Sequence, residues 1–224
     1  MKKLFMYLLL LLPLAIASCG GDEPSGGNIT NEDKYEYVNL GLTSGTLWAT
    51  SNVGASKPEE YGDYFAWGET KPKERYDWTT YKWNGGENYN DFTKYCAVDG
   101  KTELDEADDA ASANWGPNWR MPTKNQWVEL KAECTWKWTS MNGVNGYLVT
   151  SKKNDNYIFL PAAGCLQGTG HPYYGILGKH GNYWTRNLDY GDSKYALYRL
   201  FFSESVTWDS GRGVGCSVRP VRVL

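Results

Sequence analysis

The segment Asn118–Leu130, NWRMPTKNQWVEL, restricts what this chain can fold into more than any other stretch. A permanently charged residue, Arg120, stands between bulky apolar Trp119 and Met121, where the pattern reads as core. Arginine is almost never fully buried unless a carboxylate or carbonyl group meets it, so the fold must bring acceptors to this point from elsewhere. A helix start follows at once. Thr123 and Gln126 have the Thr-x-x-Gln spacing of a capping box, with Pro122 just outside. Trp127, Leu130 and Cys134 (or the stem of Lys131) then mark one apolar face.

The rest of the chain is mostly strand and turn. Before about Gly100 it consists of short pieces such as YVNLGL and TLWATS, separated by Gly, Pro, Asn and Asp. A second helix is expected in LDEADDAASANW, where Leu104, Ala107, Ala111 and Trp115 fall at helical spacing and acids sit near the start. From Gly143 onward the pattern is β. GYLVTS and YIFLP flank the turn-rich KKNDN, and GNYWTR, YALYRLFF, SVTWDS and GCSVRPVRV follow, with Trp184 expected in the core. The fold class read from this is α+β: two main helices with a twisted antiparallel sheet and much loop.

The N-terminus carries an address. Lys2 and Lys3 precede an apolar run from Leu4 to Ala17 that contains Pro13. The run falls short of the roughly 20 apolar residues of a membrane helix, so it reads as a secretory signal. Ile16–Cys19, IASC, resembles the bacterial lipobox, which implies cleavage after residue 18 and a lipid anchor on Cys19. Residues 19–34 then read as a flexible tether, of roughly 20 Å as a random coil. Asp22 and Glu23 resemble the acidic export signal of Bacteroidota lipoproteins, which implies the cell outer membrane, facing the exterior. Residues 35–224 remain for one domain.

Without Lys2 and Lys3, 21 basic residues (23 less 2) face 26 acidic ones, a formal charge of −5 with no basic run. Nucleic acid is therefore excluded as an expected partner. Four cysteines follow Cys19: Cys96, Cys134, Cys165 and Cys216, an even number that suggests two disulfides in an oxidising compartment, with three connectivities open. Their spacings of 38, 31 and 51 residues, with only two histidines, make a zinc site improbable. The aromatic content is unusual, with 11 Trp and 17 Tyr. RYDWTTYKWNGGENY offers Trp78, Tyr81, Trp83 and Tyr89, and HPYYG offers Tyr173 and Tyr174, as rings on which a sugar would stack.

YVNLGLTSGTLWATSNVGASKPEEYGDYFAWGET, DDAASANWGPNWRMPT, NGVNGYLVT, IFLPAAG, YWT and SVRPV, taken in order, resemble the Fibrobacter succinogenes major paralogous domain. The resemblance covers roughly Tyr35 to Val221 and implies a C-type-lectin-like fold, also used by formylglycine-generating enzymes. It implies that Arg120 lies where helix meets sheet, facing Glu69 and Asp108 or Asp109 as a structural ion pair. The paired copper-binding cysteines of those enzymes have no counterpart beside Cys216, and His171 and His180 lack a third partner. The expectation is therefore a non-enzyme. With the family's departures at Cys165 and Cys216 in mind, the expected bridges are Cys96–Cys134 and Cys165–Cys216. The sugar motifs of calcium-dependent lectins are absent, so no cofactor is expected, with Asp105, Asp108 and Asp109 as a weak calcium candidate. The reading is a surface-exposed binding domain for glycan or another surface ligand. The alternatives are a protein-interaction or appendage-assembly module and, behind it, a formylglycine-generating-enzyme-like oxidase.

Overall fold

The computed structural model describes residues 34–86, 91–169, 171–172, 176–189, 192 and 194–223. Cys19, Tyr89, Tyr173 and Tyr174 lie outside the described residues. The first half supplies β1 (Tyr37–Asn39), β2 (Thr46–Ala49) and β3 (Tyr64–Phe65). Two helices follow, α1 (Ala110–Trp115) and α2 (Lys124–Glu133). Next come β4 (Cys134–Met141), β5 (Val144–Ser151), β6 (Tyr157–Pro161), β7 (Leu166–Gln167) and β8 (His171–Pro172). The chain closes with β9 (His180–Leu188), β10 (Ala196–Phe202), β11 (Ser205–Gly211), β12 (Cys216–Ser217) and β13 (Val221–Val223). The class is α+β, dominated by sheet. Among the described residues no helix is long and apolar enough to cross a membrane.

One antiparallel sheet was expected, and among the described residues four smaller ones form. They run β1-β2-β13, β11-β10-β9-β12-β3, β4-β5-β6 and β7-β8. Among the described residues β12 pairs with β9 in parallel at Ser217–Tyr183, and an isolated bridge between Gly164 and Gly181 is parallel too. The five-stranded sheet is covered on both faces, which explains why β9 and β10 read as nearly continuous apolar runs. Tyr183 and Phe201 face one core with Trp127 and Leu130 of α2, Trp48 and Val149. Trp184, Ala196 and Tyr198 face the other, with Ala110 and Ala111 of α1, Trp67 and Met121. Trp184 is fully buried, as expected, and its indole donates to the Phe65 carbonyl at 2.6 Å.

The capping box at α2 forms in both directions: Gln126 N–H donates to Thr123 Oγ1 at 3.2 Å, and Thr123 N–H to Gln126 Oε1 at 2.8 Å. The other expected helix is broken in two. A 3-10 turn covers Glu106–Asp108, and α1 begins only after it, because Asp109 leaves helical geometry (φ −85°, ψ 116°) to cap Ala111 and Ser112 with its own carboxylate. A whole strand, β4, precedes the expected β region. Its signal is the alternation of Trp136 and Trp138 with Lys137 and Thr139, closed by Asn142–Gly143, whose positive φ of 48° and 84° makes the tight turn into β5.

Candidate functional site

Arg120 is tied to the sheet by its backbone. Its N–H donates to Val221 O at 3.0 Å and its carbonyl accepts from Val221 N–H at 2.9 Å, which places it at the junction of helix and sheet. The side chain is half-buried, lines a small cleft of about 170 Å³ with Asn118 and Arg222, and joins none of the ion pairs among the described residues. The expected pairing with Glu69, Asp108 or Asp109 is thus corrected, and the reason is that each acid is engaged elsewhere. Glu69 accepts from the Lys73 ammonium at 2.7 Å and from Lys82 N–H at 2.9 Å. Asp108 accepts from Lys82, Lys94 and the Tyr95 hydroxyl at 2.9, 2.6 and 2.8 Å. Asp109, fully buried, does reach the segment, but through the amide next door: Met121 N–H donates to both its oxygens, at 3.0 and 2.9 Å.

The arginines that are deeply buried lie elsewhere, and two of them sit in cages of neutral oxygen. Arg219 donates to Asn52 Oδ1, Ala49 O, Thr50 O and Phe159 O at 2.9, 3.0, 2.7 and 2.9 Å. Arg212 donates to the Tyr81 hydroxyl and to the Tyr95 and Lys94 carbonyls at 3.0, 3.1 and 3.0 Å, and stacks on Phe92 with 4.0 Å to the ring centre. Carbonyls thus do the work expected of carboxylates.

The three acids of the calcium candidate are engaged by other groups of the chain. Asp105 holds Lys101 at 2.7 Å and Lys94 at 2.6 Å, and hydrogen bonds from these two ammonium groups keep its carboxyl down at about 2. Burial opposes ionisation of Asp108, but its bonds from Lys94, Lys82 and Tyr95 outweigh that and hold it below the usual carboxylate range. Lys94 is shared by Asp105 and Asp108, and Asp109 turns inward as a helix cap, held by the backbone N–H groups of Ala111, Ser112 and Met121. Among the described residues no group of three His, Cys, Asp or Glu is arranged to hold a metal ion.

Cys96 and Cys134 form no disulfide among the described residues. Cys134 opens β4 inside the α2 core, whereas Cys96 sits beside Tyr95 with its Sγ donating to Phe92 O at 3.5 Å, so the expected Cys96–Cys134 bridge joins two separate places and is corrected. Cys165 and Cys216, the other expected bridge, share one core. The antiparallel Leu166–Gly215 pair, with bonds of 2.8 and 2.9 Å, sets them opposite each other in register.

Of the rings expected to stack a sugar, Trp78 packs on Tyr81 and Phe92, with ring centres 5.7 and 5.1 Å apart, and also lines a cleft. Tyr81 is buried, donating to Trp67 O at 2.9 Å and accepting from Arg212, so it is scaffold. Trp83 is covered by the Lys82 ammonium, 4.2 Å above its ring, and donates to Gly68 O at 3.2 Å, so its face is also occupied. Both are corrections, and both follow from the need of a coil-rich segment to pack its own loops. Trp78 instead lines a cleft of about 340 Å³ together with Tyr76, Asp77, Gln167, Lys194 and Tyr195. A 3-10 turn, Trp78–Thr80, presents it, capped by Asp77, which accepts from Thr79 N–H at 3.0 Å and is bridged by Arg75. Tyr76 forms the floor and locks this turn to β7: Tyr76 N–H donates to Gly168 O at 2.7 Å and Gly168 N–H returns to Tyr76 O at 2.8 Å. Strand β8 pairs with β7, setting His171 opposite Gln167 at the cleft edge.

The cleft therefore offers aromatic surface with an amide, an ammonium and a carboxylate at its edge. Burial opposes ionisation of Asp77, yet the bonds from Thr79 and Arg75 prevail and hold it below the usual range, so at neutral pH it accepts hydrogen bonds and is not a proton donor. Gln167, Lys194 and Tyr195 carried no signal in the sequence, because only the β7–β8 and β9–β10 connections bring them beside Trp78. In the comparisons with known proteins, no family model matches the chain, and no curated protein and no solved structure does so either.

Proposed function

We propose that this chain is a surface-exposed, non-catalytic binding domain that recognises glycan through the Trp78 cleft. The observation that carries this reading is the cleft itself: aromatic side chains, Trp78 and Tyr195, beside the amide, ammonium and carboxylate of Gln167, Lys194 and Asp77. A ring face takes the C–H face of a sugar, and a few fixed polar groups then select its hydroxyls. The proposal places the domain at the outer face of the outer membrane, held by lipid on Cys19, and takes its fold as C-type-lectin-like, of the Fibrobacter succinogenes major paralogous type. An α+β body with much loop agrees with that assignment.

A glycan array with the chain from Asn28 to Leu224 tests the function. Saturable binding that Trp78→Ala abolishes, on protein with unchanged near-UV circular dichroism, supports it. A blank array on folded protein refutes it and turns attention to a protein ligand, to be sought by pull-down from the cell envelope. Metabolic labelling with palmitate tests the anchor, and label that persists in Cys19→Ala refutes it.

A further inference from the structure

Three arginines are more than nine-tenths buried, and they differ. Arg212 and Arg219 are surrounded by oxygen acceptors, as described above. Arg199, in β10, is 5 % exposed, and its Nε is buried with no acceptor. Its guanidinium takes part in no ion pair among the described residues, and the contact it does make is with the Trp208 ring, 4.6 Å from guanidinium carbon to ring centre. The register explains the placement. Arg199 pairs with Trp208 of β11 on one side and Tyr183 of β9 on the other, two residues from Phe201 and so on the face that α2 covers.

Helix α2 brings more positive charge to the same seam. Lys131 lies with its ammonium 5.1 Å from the Trp136 ring centre, and that of Lys124 is 5.9 Å from Trp208. Trp136 and Trp208 both pack on the core that holds Phe201. Burial pushes the Lys131 ammonium down, and the charges of Arg199 and Lys152 push it further in the same direction. Burial alone pushes Arg199 to about 10. A cation taken out of water without an acceptor is disfavoured unless a negative group neutralises it.

We infer that the seam between α2 and the β10–β11 hairpin, at Arg199, Lys131 and Trp208, is a binding site for an oxyanion group of the sulfate or phosphate type. The guanidinium fork and the ammonium approach such a group from two elements, and a tetrahedral oxyanion has oxygens for both. The indole of Trp208 supplies a flat apolar surface for whatever carries the group. Two sources share this chemistry: a sulfated carbohydrate and a phospholipid headgroup.

The test uses the full chain in detergent, with isothermal titration calorimetry against sodium sulfate and sodium phosphate, and sodium chloride at matched ionic strength as control. The expected result is saturable binding of sulfate or phosphate, none of chloride, and at least a tenfold loss of affinity in Lys131→Gln. Arg199→Met should abolish binding. Lys131 is exposed, so its variant stays informative if Arg199→Met does not fold. Two further arms use heparin-type oligosaccharide and phosphatidylcholine vesicles with and without phosphatidic acid; binding in either arm that inorganic sulfate displaces supports the site and names the source. Absence of saturable binding to both inorganic ions, or binding unchanged in Lys131→Gln, overturns the inference. Trp78→Ala should leave these titrations unchanged, which keeps this outcome separate from that of the glycan cleft.

Discussion

Arg219 gives the sharpest quantitative test of how this scaffold is held together. It is fully buried, and its four hydrogen bonds tie residues 49–52 and Phe159 to the segment before β13 without any carboxylate. Arg219→Met keeps an unbranched stem of similar length and removes every donor. Each buried acceptor left without a partner is worth about 1–3 kcal/mol, so four of them put the gross loss at about 6 kcal/mol. Removing the charge gives some of this back. Burial pushes the Arg219 pKa down to about 10, and Tyr183 only partly offsets that push. A depression of that size corresponds to about 3 kcal/mol against the charged form. The net expectation is destabilisation by about 3 kcal/mol, a large share of the roughly 5–15 kcal/mol that holds a domain together. Urea unfolding followed by circular dichroism, with m unchanged, measures it. A variant as stable as the parent, or more stable, would refute the argument and show that the carbonyl cage does not repay the buried charge.

Five other outcomes follow from the same structure. Arg120→Ala should lose no more than about 1 kcal/mol, because the half-buried side chain joins no ion pair among the described residues, where a buried ion pair would have lost about 3–5 kcal/mol; urea melts separate the two. Asp108→Asn should lose about 2 kcal/mol at pH 7, because bonds from two lysines and Tyr95 all lose their charged acceptor. The folded-state carboxyls of Asp105 and Asp108 are depressed, so their contribution is present above the unfolded value of about 3.9 and lost as pH falls through the folded value, about 2 for Asp105; melting temperature should therefore drop between those limits, and less steeply in Asp108→Asn. Gly181→Ala would set a Cβ 2.0 Å from the Phe201 ring, and such overpacking should lower stability by about 3 kcal/mol in the same melts. Cys96→Ser should leave stability within about 0.5 kcal/mol of the parent, and a non-reducing peptide map should contain no Cys96–Cys134 peptide.

What was legible in the sequence is what short-range physics decides. The Thr123–Gln126 box, the hairpin around 152–156 and the burial of Trp184 each depend on neighbours a few residues away or on a run apolar enough to admit one reading. The long helix from Leu104 to Trp115 was misread because spacing does not reveal that Asp109 turns its carboxylate onto Ala111 and Ser112 and breaks the run. Strand β4 was missed although Trp136 and Trp138 alternate with polar residues, because it begins at the last turn of α2 with no punctuating Gly or Pro. The division into four sheets, and the parallel contact of β12 with β9, rest on pairings between distant segments that no local pattern encodes.

The arginines show why the site was harder to read than the fold. A sequence marks a buried cation by its apolar neighbours, and Arg120 between Trp119 and Met121 has that mark, yet it is half-buried with its backbone, not its guanidinium, doing the pairing. The fully enclosed Arg219 lies in SVRPV, where a following proline gives no hint of four acceptors drawn from residues 49–52 and 159. Acceptors of this kind are backbone carbonyls, which every residue has, so residue identity carries no information about where they will converge. A carboxylate partner can be sought in the sequence by charge, but a carbonyl cage exists only once the strands are placed. That also explains why Arg199 stands out only in three dimensions: in YALYRLFF it looks like Arg219, and the absence of a cage around it is visible only after β9, β10, β11 and α2 are assembled.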